Sequence, residues 1–430
     1  MTLGAALLSV GALILSATIL VAGNSLQFVI LGLRAEAEGI PLATIGAMTA
    51  GYFIGYSVGS IYSPRFVNAI GHIRAFAALA SITSGVVLAH GLWVEPTFWI
   101  GLRFVTGLCF AGLATVTDSW LNARATSDLR GRLLSLAGVA MITGYAVGPV
   151  FAALGSVDSL VLFVIASMLM SMALVPVTLT RYEAPAISLD GEGAETYSLA
   201  RLFKETQLGV LGCFVAGSTQ GAFLGLGVIF AGRLGLDNAA ASLFVTLALA
   251  AGALSQYPIG WLSDQLDRRH VIAGLAGAVG IASLVVMATQ PSAQPALVWF
   301  GLAAFVAGVA AMPMYAIVVA YVYDRIPENS IVPAAATLVL TYAVGSAVAG
   351  PLASWAMVSY GPSGLYLYMG LLMLAFAMFA LVRIAVREAP DVAEETDAIV
   401  ARSPGLAPLD AFADEIQLAL PLEEGDVAGS

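Results

Sequence analysis

The stretch "RYEAPAISLDGEGAETYSLARLFKE", residues 181–205, is the longest polar interruption in the interior of this chain. Six long apolar runs precede it and six follow it. A run of about 20 apolar residues crosses the hydrocarbon core of a bilayer as one helix. The sequence therefore predicts an all-α membrane protein, with twelve transmembrane helices in two six-helix halves.

The predicted spans lie at residues 6–32, 42–62, 73–92, 97–122, 132–154, 158–180, 206–230, 238–262, 271–290, 297–323, 332–357 and 362–386. The predicted domains are an N-terminal half (1–180), a cytoplasmic linker (181–205), a C-terminal half (206–386) and a tail (387–430). The first run lacks a basic leader and is too long for a signal peptide, so we expect it to remain as the first helix.

Composition supports a bilayer as the solvent of this chain. Hydrophobic residues make up 60% of it and charged residues 10%, against about 25% charged in soluble domains. The tail holds eleven acids and two bases, which account for most of the net charge of −10, and we expect it to be disordered. Two cysteines in apolar runs and three scattered histidines predict neither disulfides nor a metal site, and no cofactor is expected.

The basic residues orient the helices. Fourteen of the seventeen lie in alternate loops or flanking segments on one side, whereas Arg34 and Arg233 fall on the other side and Arg103 lies within a helix. Loops rich in lysine and arginine stay in the cytoplasm. The pattern predicts a multi-pass protein of the cytoplasmic (inner) membrane, with both termini in the cytoplasm.

The two halves repeat short sequences. "VAGNSLQ" (21–27) is similar to "VAGSTQG" (215–221), and "TGYAVGPVFAA" (143–153) is similar to "TYAVGSAVAGPLAS" (341–354). A pseudo-symmetric repeat of this kind is typical of transporters that bind their solute between the halves. Chance similarity between helices rich in alanine and glycine is the alternative.

A charged motif, "GWLSDQLDRR" (260–269), follows the eighth span. Gly260 predicts a close approach of two helices. Asp264 is placed to cap a helix start, and Arg268 and Arg269 can pair with acids or lipid phosphates. The motif resembles the glycine–aspartate–arginine loop of the major facilitator superfamily, and this resemblance implies a gating role.

The first half carries a weaker copy, "GSIYSPRFVNAIGHIR" (59–74), with Gly59, Arg65 and Arg74. Ser63 stands in it where the second half has Asp264. In the fifth span Gly148 and Pro149 predict close helix contact and a bend. They resemble the antiporter motif of the superfamily, although structural packing alone also explains them.

The fourth span contains "RFVTGLCFAGLATVTDSWLN" (103–122), with an arginine about six residues in from the outer end of the span. A charge within a membrane helix is costly and by default faces the bundle interior and serves function. Asn24 and Gln27 lie at a comparable depth on the first helix, so the three side chains predict a cluster that binds a carboxylate, phosphate or carbonyl group. The alternatives are that Arg103 snorkels to the headgroups or satisfies carbonyl dipoles.

The same span ends near a second charge, Asp118, about 22 Å further along the helix axis. We expect Asp118 to form an ion pair with Arg124, with Arg130 or with a helix terminus close to the cytoplasmic end. A protonatable coupling site is the alternative, although a shallow carboxylate is poorly desolvated.

The segments "GHIRAFAALA" (71–80), "RFVTGLCFAGL…DSWLNARA…RGR" (103–132) and "GPLASWAM" (351–358) resemble the YcaD-like branch of the major facilitator superfamily, over residues 1–386. The chain departs from that branch at Asp118, where relatives usually have glutamate. It departs again at "AYVYD" (320–324), where Asp324 is kept but a histidine common in relatives is missing. Proton coupling, the default of the superfamily, is therefore left open.

Further polar side chains on other helices are candidates for the wall of a central cavity, although each tyrosine alone is more typical of packing. They are Tyr52, Tyr56, Gln220, Gln256, Tyr315 and Tyr342. No phosphate-binding loop, catalytic constellation or nucleic-acid patch is present, so an enzyme is not expected.

The sequence predicts a secondary active transporter of a small organic solute, working by alternating access. Arg103 favours an anionic or carbonyl-bearing solute. The expected partners are this solute and the bilayer, with no nucleic acid, and we expect a monomer. The alternative is a non-transporting sensor or assembly factor that retains the fold.

Overall fold

A computed structural model describes residues 3–124, 127–179, 197–289, 297–327 and 330–386. Over these residues the chain forms helices joined by short turns, and no strand occurs among them. The predicted tail, residues 387–430, lies outside the described residues.

The first half contains six membrane spans. Its helices are α1 (Leu3–Ala37), α2 (Leu42–Ile70), α3 (His72–Leu92), α4 (Pro96–Arg124), α5 (Ser127–Val147), α6 (Val161–Met172) and α7 (Leu174–Thr178). A 3-10 segment, Gly148–Leu154, extends α5, and α7 extends α6, so each of these pairs forms one span.

The second half repeats this arrangement after a short helix, α8 (Leu199–Glu205). It contains α9 (Gln207–Arg233), α10 (Asn238–Gln265), α11 (Arg268–Ala288), α12 (Leu297–Ala311), α13 (Pro313–Tyr323), α14 (Ile331–Tyr360) and α15 (Gly364–Val386). Here α12 and α13 form one span, interrupted at Met312 before Pro313, because proline cannot donate the helical hydrogen bond.

Eleven of the described helices are long and apolar enough to cross a membrane. The twelfth span is α2, which is 29 residues long but has a more polar sequence. Helix α2 packs against two neighbours, α4 and α14. The predicted fold class, twelve transmembrane helices in two pseudo-symmetric halves, is confirmed.

The contact between α2 and α4 is a seam of glycines. Gly51, Gly55 and Gly59 recur every fourth residue on α2, and a Cβ at any of them would lie at or below 3.0 Å from a backbone oxygen of α4. Gly107 of α4 packs in turn against the backbone of Tyr52. Small residues at this spacing let two helix backbones touch. The seam brings the Arg103 turn of α4 against Tyr52.

The two halves meet at one end of the bundle, which we call the closed end: residues 32–49, 225–233 and 350–354. Gly32 of α1 packs on Val228 of α9, where a Cβ would lie 2.7 Å from the valine. Gly46 of α2 packs on Gly350 of α14. Arg233 donates to Glu36 at 2.8 Å and so joins the ends of α9 and α1.

The fifth span has the distortion that its sequence predicts. Helix α5 ends at Val147, and the chain continues as a 3-10 turn with Gly148 and Pro149 at its start. Gly148 packs against the backbone of Ala22 on α1, and both Gly148 and Pro149 are buried. This span therefore packs tightly on α1, the helix that carries Asn24 and Gln27.

The structure describes the end of the predicted linker, from Tyr197 to Glu205. Ser198 caps α8 by accepting a hydrogen bond from the Arg201 amide at 3.2 Å. The Thr337 hydroxyl of α14 donates to the Tyr197 carbonyl at 2.7 Å. The linker therefore ends against the start of α14, while residues 180–196 lie outside the described residues.

Candidate functional site

Arg103 is buried, with 2% of its surface exposed. Its guanidinium carbon lies 3.9 Å from the ring centre of Phe28 and 4.4 Å from that of Tyr52. The two ring centres are 4.9 Å apart with an interplanar angle of 71°, so the rings form a corner rather than a sandwich. One flank of the guanidinium is thereby left clear of these rings.

The aromatic corner offsets only part of the cost of this buried charge. A desolvated cation–π contact contributes about 2 kcal/mol, whereas taking one ion out of water costs several kcal/mol. Among the described residues Arg103 has no ion pair, and its Nη1 has no hydrogen-bond partner. Because the side chain is buried, the structure does not support the alternative that Arg103 snorkels to the headgroups.

The predicted amides are both buried on α1, and Asn24 joins the cluster around Arg103. Asn24 donates from Nδ2 to the Tyr52 hydroxyl at 3.1 Å, so Tyr52 links Asn24 to Arg103. Within the described part of the chain, Oδ1 of Asn24 and both amide atoms of Gln27 have no hydrogen-bond partner. An unpaired buried polar group costs about 1–3 kcal/mol. The cluster therefore holds donors and acceptors suited to a polar ligand.

Phe28 is a member of this cluster that the sequence did not single out. It lies four positions after Asn24 and so projects from the same face of α1. A phenylalanine in an apolar helix resembles ordinary packing. Only this spacing from Asn24 marks it in the sequence.

A second cluster lies in the other half. The Tyr342 hydroxyl donates to Oε1 of Gln220, and the rings of Tyr315 and Tyr342 meet edge to face, 5.0 Å apart. Ser218 and Tyr368 share a further hydroxyl hydrogen bond of 2.5 Å. The structure thus brings together Gln220, Tyr315 and Tyr342, each of which is half-buried.

Tyrosines connect the two clusters. Tyr56 of α2 lies 6.4 Å from Tyr52, ring centre to ring centre, and α2 packs against α14, the helix that carries Tyr342. Tyr145 of α5, which sequence reasoning missed, accepts a hydrogen bond through its carbonyl from the Ser25 hydroxyl at 2.7 Å. The clusters therefore face a common space between the halves.

Gln256 is half-buried on α10. It forms no hydrogen bond with either cluster among the contacts that the structure describes. The structure therefore does not join Gln256 to the other candidates.

In the charged motif of the second half, residues 260–269, ion pairs link the ends of neighbouring helices. Arg268 pairs with Asp264 at 3.0 Å through Nη2 and with Asp324 at 2.7 Å through Nε. The predicted pairing of Arg268 with acids is confirmed. These contacts tie the end of α10 to the end of α13.

Two predictions for this motif are wrong. The helix cap is Asp267, not Asp264: Oδ1 of Asp267 accepts from the Arg269 amide at 2.9 Å, and Arg269 donates back to the carboxylate at 2.7 Å. Asp264 cannot cap because it lies inside α10 and pairs with Arg268. Gly260 has no atom within 4 Å of a built Cβ, so no close helix approach occurs there.

The cap carboxylate has a shifted pKa. Partial burial acts to raise the pKa of Asp267, but the hydrogen bonds and charge of Arg269 outweigh burial and hold this pKa below its ordinary value. Asp267 is therefore charged throughout the neutral range, which suits a cap at the helix N-terminus.

The corresponding motif of the first half, residues 59–74, forms no comparable network of ion pairs among the described residues. Gly59 packs on α4, where a Cβ would lie 2.7 Å from Ala111, and Ser63 is buried. Arg65 and Arg74 are exposed and form no described ion pair. Asp118 is exposed on α4, and the side chains of its predicted partners, Arg124 and Arg130, lie outside the described residues.

Among the described residues no three His, Cys, Asp or Glu side chains come together as metal ligands. The arrangement is instead two polar clusters on two helical halves, which defines the class of membrane transporters with a central site. The sequence profile of the Major Facilitator Superfamily matches residues 13–237 and residues 208–412, so the chain belongs to this family.

Named relatives agree with the branch that the sequence resembles. The uncharacterized MFS-type transporter YcaD of Salmonella arizonae is 27% identical over 331 residues, which cover 76% of this chain and 83% of the relative. YcaD of Escherichia fergusonii is 25% identical over 332 residues, covering 77% and 84%. The predicted resemblance to the YcaD-like branch is confirmed.

Solved structures show the same fold. A variant of the nucleoside transporter NupG superposes with a TM-score of 0.73 at 14% identity, covering 87% of this chain and 99% of that one. A D-xylose–proton symporter gives 0.69 at 15% identity, covering 86% and 96%. The protein is a multi-pass secondary transporter and not an enzyme.

Proposed function

We propose that the protein carries a small organic solute with an anionic or carbonyl group. One observation carries this proposal: Arg103 is 2% exposed, has no ion pair among the described residues and keeps Nη1 without a partner. A planar guanidinium of fixed orientation matches a carboxylate or phosphate geometrically. The amides of Asn24 and Gln27 supply further hydrogen bonds to the same group.

In this proposal the solute contacts both halves. Arg103, Asn24 and Gln27 bind its charged or carbonyl end, and Gln220, Tyr315 and Tyr342 bind its body from the second half. A site shared by two halves that rock against each other is the basis of alternating access. The packing of α2, which carries Tyr56, against α14, which carries Tyr342, supports such a shared site.

We further propose that the closed end faces the outside of the cell. The loops that hold Arg65, Arg74, Arg268 and Arg269 lie at the opposite end and are cytoplasmic by the distribution of basic residues. Both termini are then cytoplasmic, in the inner membrane, and the structure corresponds to an inward-facing carrier. The gating role of the charged motif around Arg268 belongs to this proposal.

We propose that transport of the solute is coupled to protons. Asp118 is the carboxylate that supports it, because it is exposed on α4, the helix that also carries Arg103. A carboxylate in that position can exchange a proton with the cytoplasm.

A thermal-shift screen of the purified protein tests the solute class. The library pairs each carboxylate or phosphate with its neutral ester or alcohol. A ligand at a hundred times its Kd adds about 2.7 kcal/mol to the unfolding free energy, so we expect anionic members to raise Tm and their neutral partners to raise it less. Stabilisation confined to organic cations would contradict the proposal.

A further inference from the structure

We infer that Arg103 also holds a small inorganic anion, chloride being the abundant one, in a separate cavity beside the guanidinium. This cavity has a volume of about 20 Å³. It is lined by Phe28, Leu31, Gly32, Ile45, Met48, Thr49, Arg103 and Gly225. The lining residues come from both halves, so the site exists only when the halves meet at the closed end.

Charge is the first argument for an anion. Arg103 is the cation of the lining, and no acidic residue is part of it. The acids at this end are engaged elsewhere, since Glu36 pairs with Arg233 at 2.8 Å and Glu38 pairs with Arg34 at 2.6 Å. A buried cation without a countercharge is strongly unfavourable. An anion in the cavity supplies that countercharge.

Size selects the kind of anion. In a cavity that holds one water molecule, the volume open to the centre of a water-sized sphere is about 10–15 Å³. The same volume in this cavity is about 20 Å³. A single halide ion matches this volume more closely than a carboxylate or phosphate, each of which brings at least three heavy atoms.

Thr49 provides a second donor. Its hydroxyl bonds to the Ile45 carbonyl at 3.3 Å, a long contact that is easily given up. Gly225 packs against the Thr49 side chain, so a Cβ added at this position would displace the Thr49 hydroxyl. Thr49 and Gly225 are thus the two positions at which the cavity can be altered while Arg103 stays in place.

The test measures Tm of the full-length protein in detergent, in sodium chloride and in sodium gluconate of equal ionic strength. We expect Tm to rise with the logarithm of the chloride concentration and to stand about 3–5 °C higher at a hundred times the Kd. Bromide should act as chloride does, while gluconate and sulfate, which are too large, should not. Equilibrium binding of radioactive chloride should saturate at one ion per chain.

Matched variants locate the site. Thr49→Val and Gly225→Ala should each weaken chloride binding at least tenfold, whereas Arg65→Gln, an exposed change at the other end, should leave it unchanged. Equal Tm in chloride and gluconate for the wild type would overturn the inference. So would a chloride effect that persists undiminished in both Thr49→Val and Gly225→Ala, even if Arg103 variants fail to fold.

The proposed chloride site and the proposed solute site can be tested by separate measurements. Solute binding is measured in sodium sulfate, where the chloride site has no ligand that fits it and no organic carboxylate competes for the solute site. Loss of the chloride effect with retained solute binding would remove only this inference. A chloride effect without any anionic solute that raises Tm would instead contradict the proposed function.

Discussion

At the residue scale, Arg103 shows how a charge is held within a membrane bundle. Phe28 and Tyr52 confine the guanidinium from two directions at 3.9 and 4.4 Å, and Tyr52 is itself held by Asn24. Such confinement lowers the side-chain entropy that a ligand would otherwise have to remove on binding. A fixed guanidinium beside two amides is a preorganised site.

The charge of Asp267 predicts that the stability of the protein depends on pH. Because its pKa is lower in the folded protein than its ordinary value of about 4, its charge stabilises the fold above that value. This contribution is lost as the pH falls through the folded pKa. We expect Asp267→Asn to lower Tm at neutral pH, with the difference from wild type shrinking in acid.

The measurement is thermal unfolding of both proteins between about pH 7 and pH 3. Asp264→Asn serves as the control, because Asp264 caps no helix. A difference between wild type and Asp267→Asn that stays constant over this range would show that the charge of Asp267 does not stabilise the cap.

Sequence alone located some of these residues. Arg103, Asn24 and Gln27 stood out because polar groups are rare in apolar helices, and they do share one buried cluster. Phe28 and Tyr145 did not stand out, since aromatic residues are common in such helices. The choice of Asp264 over Asp267 as the cap failed because a helix boundary had to be known to within three residues.

At the scale of elements, the α2–α4 seam positions the site. Gly55 of α2 faces the backbone of Phe104, the residue after Arg103. Any added side chain pushes α4 away and moves the guanidinium relative to Tyr52. The position of Arg103 therefore depends on a glycine in another helix.

Gly55→Ala should be destabilising, because overpacking a close contact costs about 1–3 kcal/mol. Gly101→Ala is the matched control on α4, since a Cβ there meets no atom within 4 Å. Alanine is also the better helix former. We expect Tm to fall by several degrees in Gly55→Ala and to stay or rise in Gly101→Ala. Equal Tm values for the two variants would contradict the tight seam.

The twelve spans were predictable because lipid requires long apolar helices. The interruption before Pro313 and the polar character of α2 are features that a hydropathy criterion does not separate from ordinary spans or loops. Both depend on how neighbouring helices satisfy the backbone and cover the surface, which a single sequence does not state.

At the scale of the whole molecule, two six-helix halves close on each other at one end. Glycine contacts and the Glu36–Arg233 pair form that closure, and the buried Arg103 cluster lies directly behind it. The half-buried tyrosines lie on the other side of the cluster. In our account Arg103 stands where the solute is held between the two openings of an alternating-access cycle.

The most direct test of this account is solute counterflow in proteoliposomes. The solute is the anion that raises Tm most in the screen, and the proteins are wild type, Arg103→Lys and Arg65→Lys. The account predicts transport by the wild type and by Arg65→Lys, with at least a tenfold loss in Arg103→Lys, since lysine cannot reproduce the planar fork. Unchanged transport in a folded Arg103→Lys protein would contradict the central role of Arg103.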